Sequence, residues 1–357
     1  MTTRRQFLAQ SAAALAGAAL SPSLLTAKVS PLRASRPARS AAGPRVRPIP
    51  TATGEILPEQ MGITSLHEHI ALRRGEEHRE ESLAYAIHEL QRAKVLGLRT
   101  IVDVGPPDDV AGIQEVARAT GINVICCTGF YLMRGEQLAL KAEDFESKML
   151  QDIEHGLQGT SVRPGVIKVA AARLPIRPAE KELFIAAARV QQKYHLPICT
   201  HAVSGCAEQQ QILEEVGADL RRCYFSHIEA TFGWSGRSVE QEIDYLEGVV
   251  AKGSTLSFNN FGNWNHTKPE DLAHIIRELV RRGYADRLVA TMDVTWSFEQ
   301  GKLKLLWEDT NVNGRDRTYA YLLDTAVPWM QANGISKDDT DKFIIGNPRR
   351  IFTSPLS

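Results

Sequence analysis

Short apolar runs alternate with longer amphipathic stretches from residue 62 to residue 293. The apolar runs predict eight strands, over 62–67, 100–104, 123–128, 165–170, 197–201, 223–227, 255–259 and 287–293. Apolar positions at helical spacing between them predict helices over 80–96, 110–119, 145–157, 179–192, 207–216, 239–251 and 269–282. Gly97, Gly121, Gly217, Gly253 and Gly283 stand where a helix ends in a left-handed residue. Residues 317–332 predict an eighth outer helix, followed by a short helical segment over 337–343 and a closing turn at Gly346-Asn347-Pro348. Strand and helix alternating eight times is the pattern of an α/β chain folded as a (β/α)8 TIM barrel. A doubly wound open sheet would alternate in the same way, so counting alone leaves both open. No repeat of 20–50 residues is visible.

The first residues, MTTRRQFLAQSAAALAGAALSPSLLTA, break this pattern. Arg4 and Arg5 precede Phe7, Leu8 and an alanine-rich apolar stretch over 11–20. That stretch is shorter than the roughly 20 residues of a transmembrane helix, and it has the form of a signal-peptide core. TRRQFL resembles the twin-arginine export signal of bacteria, with a cleavage site at Leu25-Thr26-Ala27. The other reading is a disordered basic N-terminus. Residues 28–47, rich in Pro, Arg, Ser and Ala, read as a linker, which leaves 48–357 for the barrel. The expected location is the periplasm or the medium, with no membrane span in the mature chain. Export of a folded protein suits an enzyme that acquires metals before it crosses.

Composition narrows the partners. The 42 basic and 42 acidic residues of the 357 cancel, which argues against nucleic acid. Five cysteines, an odd number without regular spacing, read as buried reduced thiols. The expected partner is a small-molecule substrate, and a homodimer is compatible with the sequence.

Six residues of ligand type fall on or at the C-terminal ends of predicted strands. His67 and His69 follow the first strand, Lys168 lies on the fourth, His201 on the fifth, His227 on the sixth and Asp293 on the eighth. Barrel enzymes place their chemistry on this face. Residues two apart on a strand share a face, so His67 and His69 should point together into the mouth. Imidazoles with a carboxylate suit zinc, and also manganese, cobalt or iron. Singly, each has an ordinary explanation: a core histidine, or an aspartate that caps the next helix. Together they are much harder to explain that way. His78, His88, His155, His195, His266 and His274 fall in predicted helices or loops and read as surface or packing residues.

This set resembles the phosphotriesterase-like branch of the amidohydrolases. LGLRTIVDVG, VICCTGFY, HAVSGCAEQQQILEEVG, RRGYADRL and GNPRRIF also resemble family segments in the right order, over roughly 62–352. The resemblance implies an N6-carboxylysine at Lys168 that bridges two divalent metal ions, with donors that suit zinc. One would be held by His67, His69 and Asp293, the other by His201 and His227. It implies hydrolysis of an ester, lactone or phosphotriester by a metal-bridging hydroxide, with Asp293 as the proton acceptor. Tyr131, in TGFY, matches a tyrosine of lactone-hydrolysing members and would orient a substrate oxygen.

Two segments depart from the pattern. Where the lactonases carry Leu-Asp-Arg-Tyr-Gly, the chain has Phe258-Asn259-Asn260-Phe261-Gly262. Where family members tend to carry an acid three residues after the sixth-strand histidine, it has Ala230, preceded by Glu229. Glu229 then either substitutes in a proton relay or is an ordinary solvated side chain. Trp296, Phe298 and Trp307, in the loop after the eighth strand, either line an apolar pocket or pack the loop onto the barrel, and Trp234 and Trp264 carry the same two readings. Amide hydrolysis or deamination on the same metals is an alternative, as is a non-catalytic exported barrel that binds a small ligand.

Overall fold

Residues 47–70, 78–203, 205–299, 302–305 and 316–353 are described by a computed structural model, all within one compact unit, Pro44–Ser357. The expected signal peptide and nearly all of the linker lie outside the described residues, as does Trp307.

A hairpin that the hydrophobic pattern does not announce comes first, β1 (Ile49–Thr51) paired with β2 (Gly54–Ile56). Eight parallel strands follow: β3 (Ile63–Glu68), β4 (Leu98–Asp103), β5 (Asn123–Gly129), β6 (Val166–Ala170), β7 (Ile198–His201), β8 (Cys223–Ser226), β9 (Thr255–Phe258) and β10 (Leu288–Ala290). They pair in chain order, which is barrel topology and excludes the doubly wound sheet. Among the described residues no ladder joins β10 to β3. That seam is bridged by the amide of Asp293, which donates to the carbonyl of His67 at 2.9 Å, and by Thr291 Oγ1, 3.0 Å from the amide of His67.

The helices α1 (Arg79–Val95), α2 (Val110–Thr120), α3 (Ala142–His155), α4 (Pro178–Tyr194), α5 (Cys206–Val216), α6 (Ile228–Ser235), α7 (Val239–Ala251) and α8 (Pro269–Arg281) lie between the strands. Most sit within a few residues of the predicted spans; α6 is new. In α8, Leu272, Ile275, Ile276 and Leu279 form the buried stripe, and a proline opens the helix where its missing N–H costs nothing.

Alternation along the strands separates two cores. Val166 of β6 packs inside the barrel with Leu66, Ile125, Cys199 and Tyr224. Ile167 and Val169 face outward against the helices. Lys168 therefore shares the inward face with Val166. In β3 the ladder slips between Ser65 and Glu68, and this irregularity lets both Leu66 and His67 turn inward.

The loop after β10 holds a second hairpin, β11 (Trp296–Glu299) with β12 (Lys302–Leu305). The predicted eighth outer helix is present as a π-helical turn, Leu322–Ala326, running into α9 (Val327–Ala332). The predicted closing turn is corrected. Helix α10 (Lys337–Asp341) continues through a π-helical turn, Lys342–Gly346, into α11 (Asn347–Thr353). Pro348 lies inside this continuous helical run, where its missing N–H removes one backbone bond next to the π-helical turn, and Asn347 is anchored to the carbonyls of Ala285 and Leu288 at 2.8 and 2.7 Å. All five cysteines are buried and free. No helix among the described residues is long and apolar enough to cross a membrane.

Candidate metal centre

His67, Lys168 and His201 lie within β3, β6 and β7, while the other three predicted ligands lie beyond the ends of their strands. β8 ends at Ser226, so His227 is not a strand residue and has a φ of 68°. β10 ends at Ala290, three residues before Asp293, whose φ is 55°. His69 lies just past the end of β3. His227 and Asp293 correct the predicted strand ends, while His69 follows the first strand as expected. The turns aim side chains over the barrel mouth that a continuing strand would have sent alternately in and out.

His67, His69 and Asp293 come together with ligand atoms within 4.8 Å of one another. Asp293 Oδ1 is 3.1 Å from His69 Nε2 and 3.4 Å from His67 Nε2. Asp293 Oδ2 lies 3.8 Å from His227 Nδ1. The His227 ring meets that of His201 edge-on at 4.3 Å and that of His67 at 4.8 Å. Lys168 Nζ is 3.3 Å from His67 Nε2 and 3.7 Å from Cys199 Sγ. Among the described residues no carboxylate forms an ion pair with it, although it is 1 % exposed. The structure thus gathers all six sequence-selected residues in one place.

Their electrostatics favour donors. Burial, helped by the Lys168 charge, holds His67 well below the ordinary imidazole range. Burial and the neighbouring His227 do the same to His201, and burial brings His227 down to about 4. Burial raises the Asp293 carboxyl, but His227 and His69 outweigh it and hold it below its usual value. Neutral imidazoles beside an ionised carboxylate are the forms that bind a divalent cation.

Tyr131 follows β5 and its ring meets that of His201 edge-on at 5.1 Å, which puts it beside the cluster. The chain reaches it through Gly129, at φ 109°, where a Cβ would sit 2.0 Å from the carbonyl oxygen of Lys168. Phe130 then donates to that same carbonyl at 2.9 Å. Only glycine permits this approach.

Several supporting residues escaped the sequence reading. Ser226 Oγ is 2.7 Å from His67 Nδ1 and fixes that ring. Asn259 places its Oδ1 3.1 Å from the amide of His227 and its Nδ2 3.1 Å from His227 Nδ1. Arg317 donates to the carbonyls of Phe261, Asn259 and Met292 at 2.6, 3.0 and 2.9 Å. Tyr319 donates to the carbonyl of His69 at 2.5 Å. Glu229 is 2 % exposed, which overturns the solvated reading. Burial pushes its carboxyl up to about 7, and Oε1 accepts the amide of Asn260 at 3.1 Å. Trp296 is buried and donates to Ser82 Oγ at 3.2 Å, so it packs the loop onto the barrel. Trp264 stacks against Trp329 at 5.4 Å, while Trp234 is 59 % exposed. The backbone of Phe298 lies in β11.

The model of the phosphotriesterase family matches residues 47–352. The chain belongs to the phosphotriesterase family. It is 25% identical to an aryldialkylphosphatase of Saccharolobus solfataricus, over 83% of this chain and 96% of that one. It is 26% identical to the N-acetyltaurine hydrolase of Danio rerio, over 85% and 97%. A mutant of a phosphotriesterase-like lactonase from Deinococcus radiodurans superposes with a TM-score of 0.74 at 26% identity, over 85% of this chain and 99% of that one. As a phosphotriesterase-family member the chain is a hydrolase, and its relatives' chemistries span phosphoester, amide and lactone bonds.

Proposed function

We propose that the protein hydrolyses an ester, lactone or phosphotriester bond of a small molecule with two divalent metal ions, zinc by the character of the donors. The observation that carries this reading is the buried cluster itself: four imidazoles and one carboxylate around a lysine with no carboxylate in ion-pair contact among the described residues. His67, His69 and Asp293 would hold one ion, and His201 and His227 the other. Lys168, carboxylated by carbon dioxide, would offer each ion an anionic oxygen. A carbamate also removes the difficulty of an ammonium buried beside imidazoles.

Ions held there would lower the pKa of water and polarise the bond to be cleaved. Asp293, ionised and turned into the cluster, would accept a proton at Oδ2, the oxygen facing His227. Tyr131, beside His201, orients the substrate oxygen. Glu229 is bound to the backbone of the loop after β9, which favours a clamping role over the proton relay.

Amide hydrolysis is the second reading. Two observations favour it: the likeness to an N-acetyltaurine hydrolase and the departure from the lactonase segment at Asn260 and Phe261. The TRRQFL start supports export to the periplasm as part of the same proposal.

Elemental analysis of the purified chain should find two metals per chain. Trials against lactones, aryl esters, organophosphates and N-acyl amides should find one class turned over, with activity lost on chelation. A metal-free protein with full activity would refute the reading.

A further inference from the structure

Glu68 stands between the two histidines of β3, and no step of the proposed reaction uses it. It is fully buried. Both of its carboxylate oxygens accept from the segment that carries Asp293. The amide of Met292 donates to Oε1 at 3.1 Å and the amide of Val294 donates to Oε2 at 2.8 Å. Ser65 also bonds Oε1 through its hydroxyl, and Thr291 Oγ1 lies 3.2 Å away. Between the two bonded amides sits Asp293, at a φ of 55°, a conformation disfavoured for any residue with a Cβ. The same bonds cross from β3 to the end of β10, the seam that no ladder closes among the described residues.

We infer that Glu68 is a positioning residue: by bonding the amides on both sides of Asp293 it holds that residue in its left-handed turn and sets its carboxylate against His67 and His69. The inference rests on the reading of Asp293 as a metal ligand. It explains why a carboxylate is needed at this buried position. Two amide donors require two acceptors on one side chain. Glutamine has one acceptor, and its NH2 would be left facing a backbone N–H. Aspartate is one methylene shorter and falls short of spanning both amides. A residue that merely closed the barrel would contribute to stability and leave the metal cluster unaffected.

The test uses the full chain, stripped of metal and titrated with cobalt(II), read by calorimetry and by the visible absorption of the bound ion. Wild type should bind two ions. Glu68→Gln should stay folded by circular dichroism, weaken one site about 10–100-fold and shift its absorption band. In an Asp293→Asn background the same change should weaken that site no further, because its effect runs through Asp293. Glu68→Asp should show a smaller loss in the same site, and it serves if Glu68→Gln does not fold. Wild-type cobalt affinity and spectrum in either folded variant would overturn the inference while leaving the metal reading intact. A wild type that bound no cobalt would overturn the metal reading, and the inference with it.

Discussion

Replacing Lys168 with methionine separates a structural lysine from a metal-bridging one. The side chain is 1 % exposed and shares the inward face of β6 with Val166. Methionine has nearly the same length and volume, so the swap leaves little cavity. For an ordinary buried ammonium, replacement by an apolar isostere is neutral or stabilising by about 1–4 kcal/mol. The metal-free variant should then unfold no earlier than metal-free wild type. Metal reverses the order. A site held at 100 times its Kd stabilises the fold by about 2.7 kcal/mol, so two sites give about 5 kcal/mol. For a domain of this size that is about 10 °C in Tm, at roughly 2 °C per kcal/mol. Scanning calorimetry of both proteins, with and without zinc, reads the difference directly. Wild type should gain about 10 °C with metal and Lys168→Met less than half of that, with loss of bound metal by elemental analysis. Lys168→Arg should fare no better, because a guanidinium stays protonated and forms no carbamate. Two metals and the full thermal gain in Lys168→Met would refute the bridging role.

Two further substitutions test how the site is built. Gly129→Ala forces a Cβ to within 2.0 Å of the Lys168 carbonyl at a φ of 109°, and should cost about 2–6 kcal/mol in urea unfolding of the metal-free protein. Gly135→Ala, at φ 55° with nothing within 4 Å, should cost only the backbone strain, about 1 kcal/mol, and equal losses at the two positions would disprove the close approach. Tyr131→Phe should keep both metals and lower kcat on the order of 10²-fold. An unchanged rate on every substrate hydrolysed would make Tyr131 a packing residue.

The barrel was legible because strands buried on both faces read as apolar runs and their helices carry amphipathic stripes. The six residues that the structure gathers were legible by type and by place on or near the strand ends. What escaped has physical causes. β1 and β2 are three residues each, too short for any period. Helix α6, IEATFGWS, has apolar residues all round and no polar stripe. The supporting residues are ordinary polar side chains whose partners are remote. Ser226 lies 159 positions from His67, Glu68 lies 224 from Met292, and Arg317 lies 58 from Asn259. Local patterns carry no record of such pairs. The glutamate inside His-Glu-His was in plain view, yet nothing in its neighbours announced that it is buried against the segment that carries Asp293.

His227 and Asp293 share a feature that links fold to chemistry. Each follows a strand end, each has a positive φ, and neither is glycine. Such a conformation costs on the order of 1–3 kcal/mol and persists only where the surroundings enforce it. Here the surroundings are specific. Asn259, at the end of β9 and fully buried, holds the backbone and ring of His227, and Arg317 in turn fixes the carbonyl of Asn259. Glu68 holds the amides that flank Asp293, and Arg317 also takes the carbonyl of Met292. One buried guanidinium therefore ties both turns together across β9 and β10. Its three carbonyl acceptors account for its burial and aim it at backbone, away from any substrate. This bears on the segment where the lactonases carry Arg and Tyr. Asn260 is held through its amide by Glu229, and the Phe261 ring is buried against that of Trp329 at 5.9 Å. Those two positions shape the wall of the barrel mouth, so in the proposed reaction the polar recognition of a substrate would fall to Tyr131 and to the residues of the cluster.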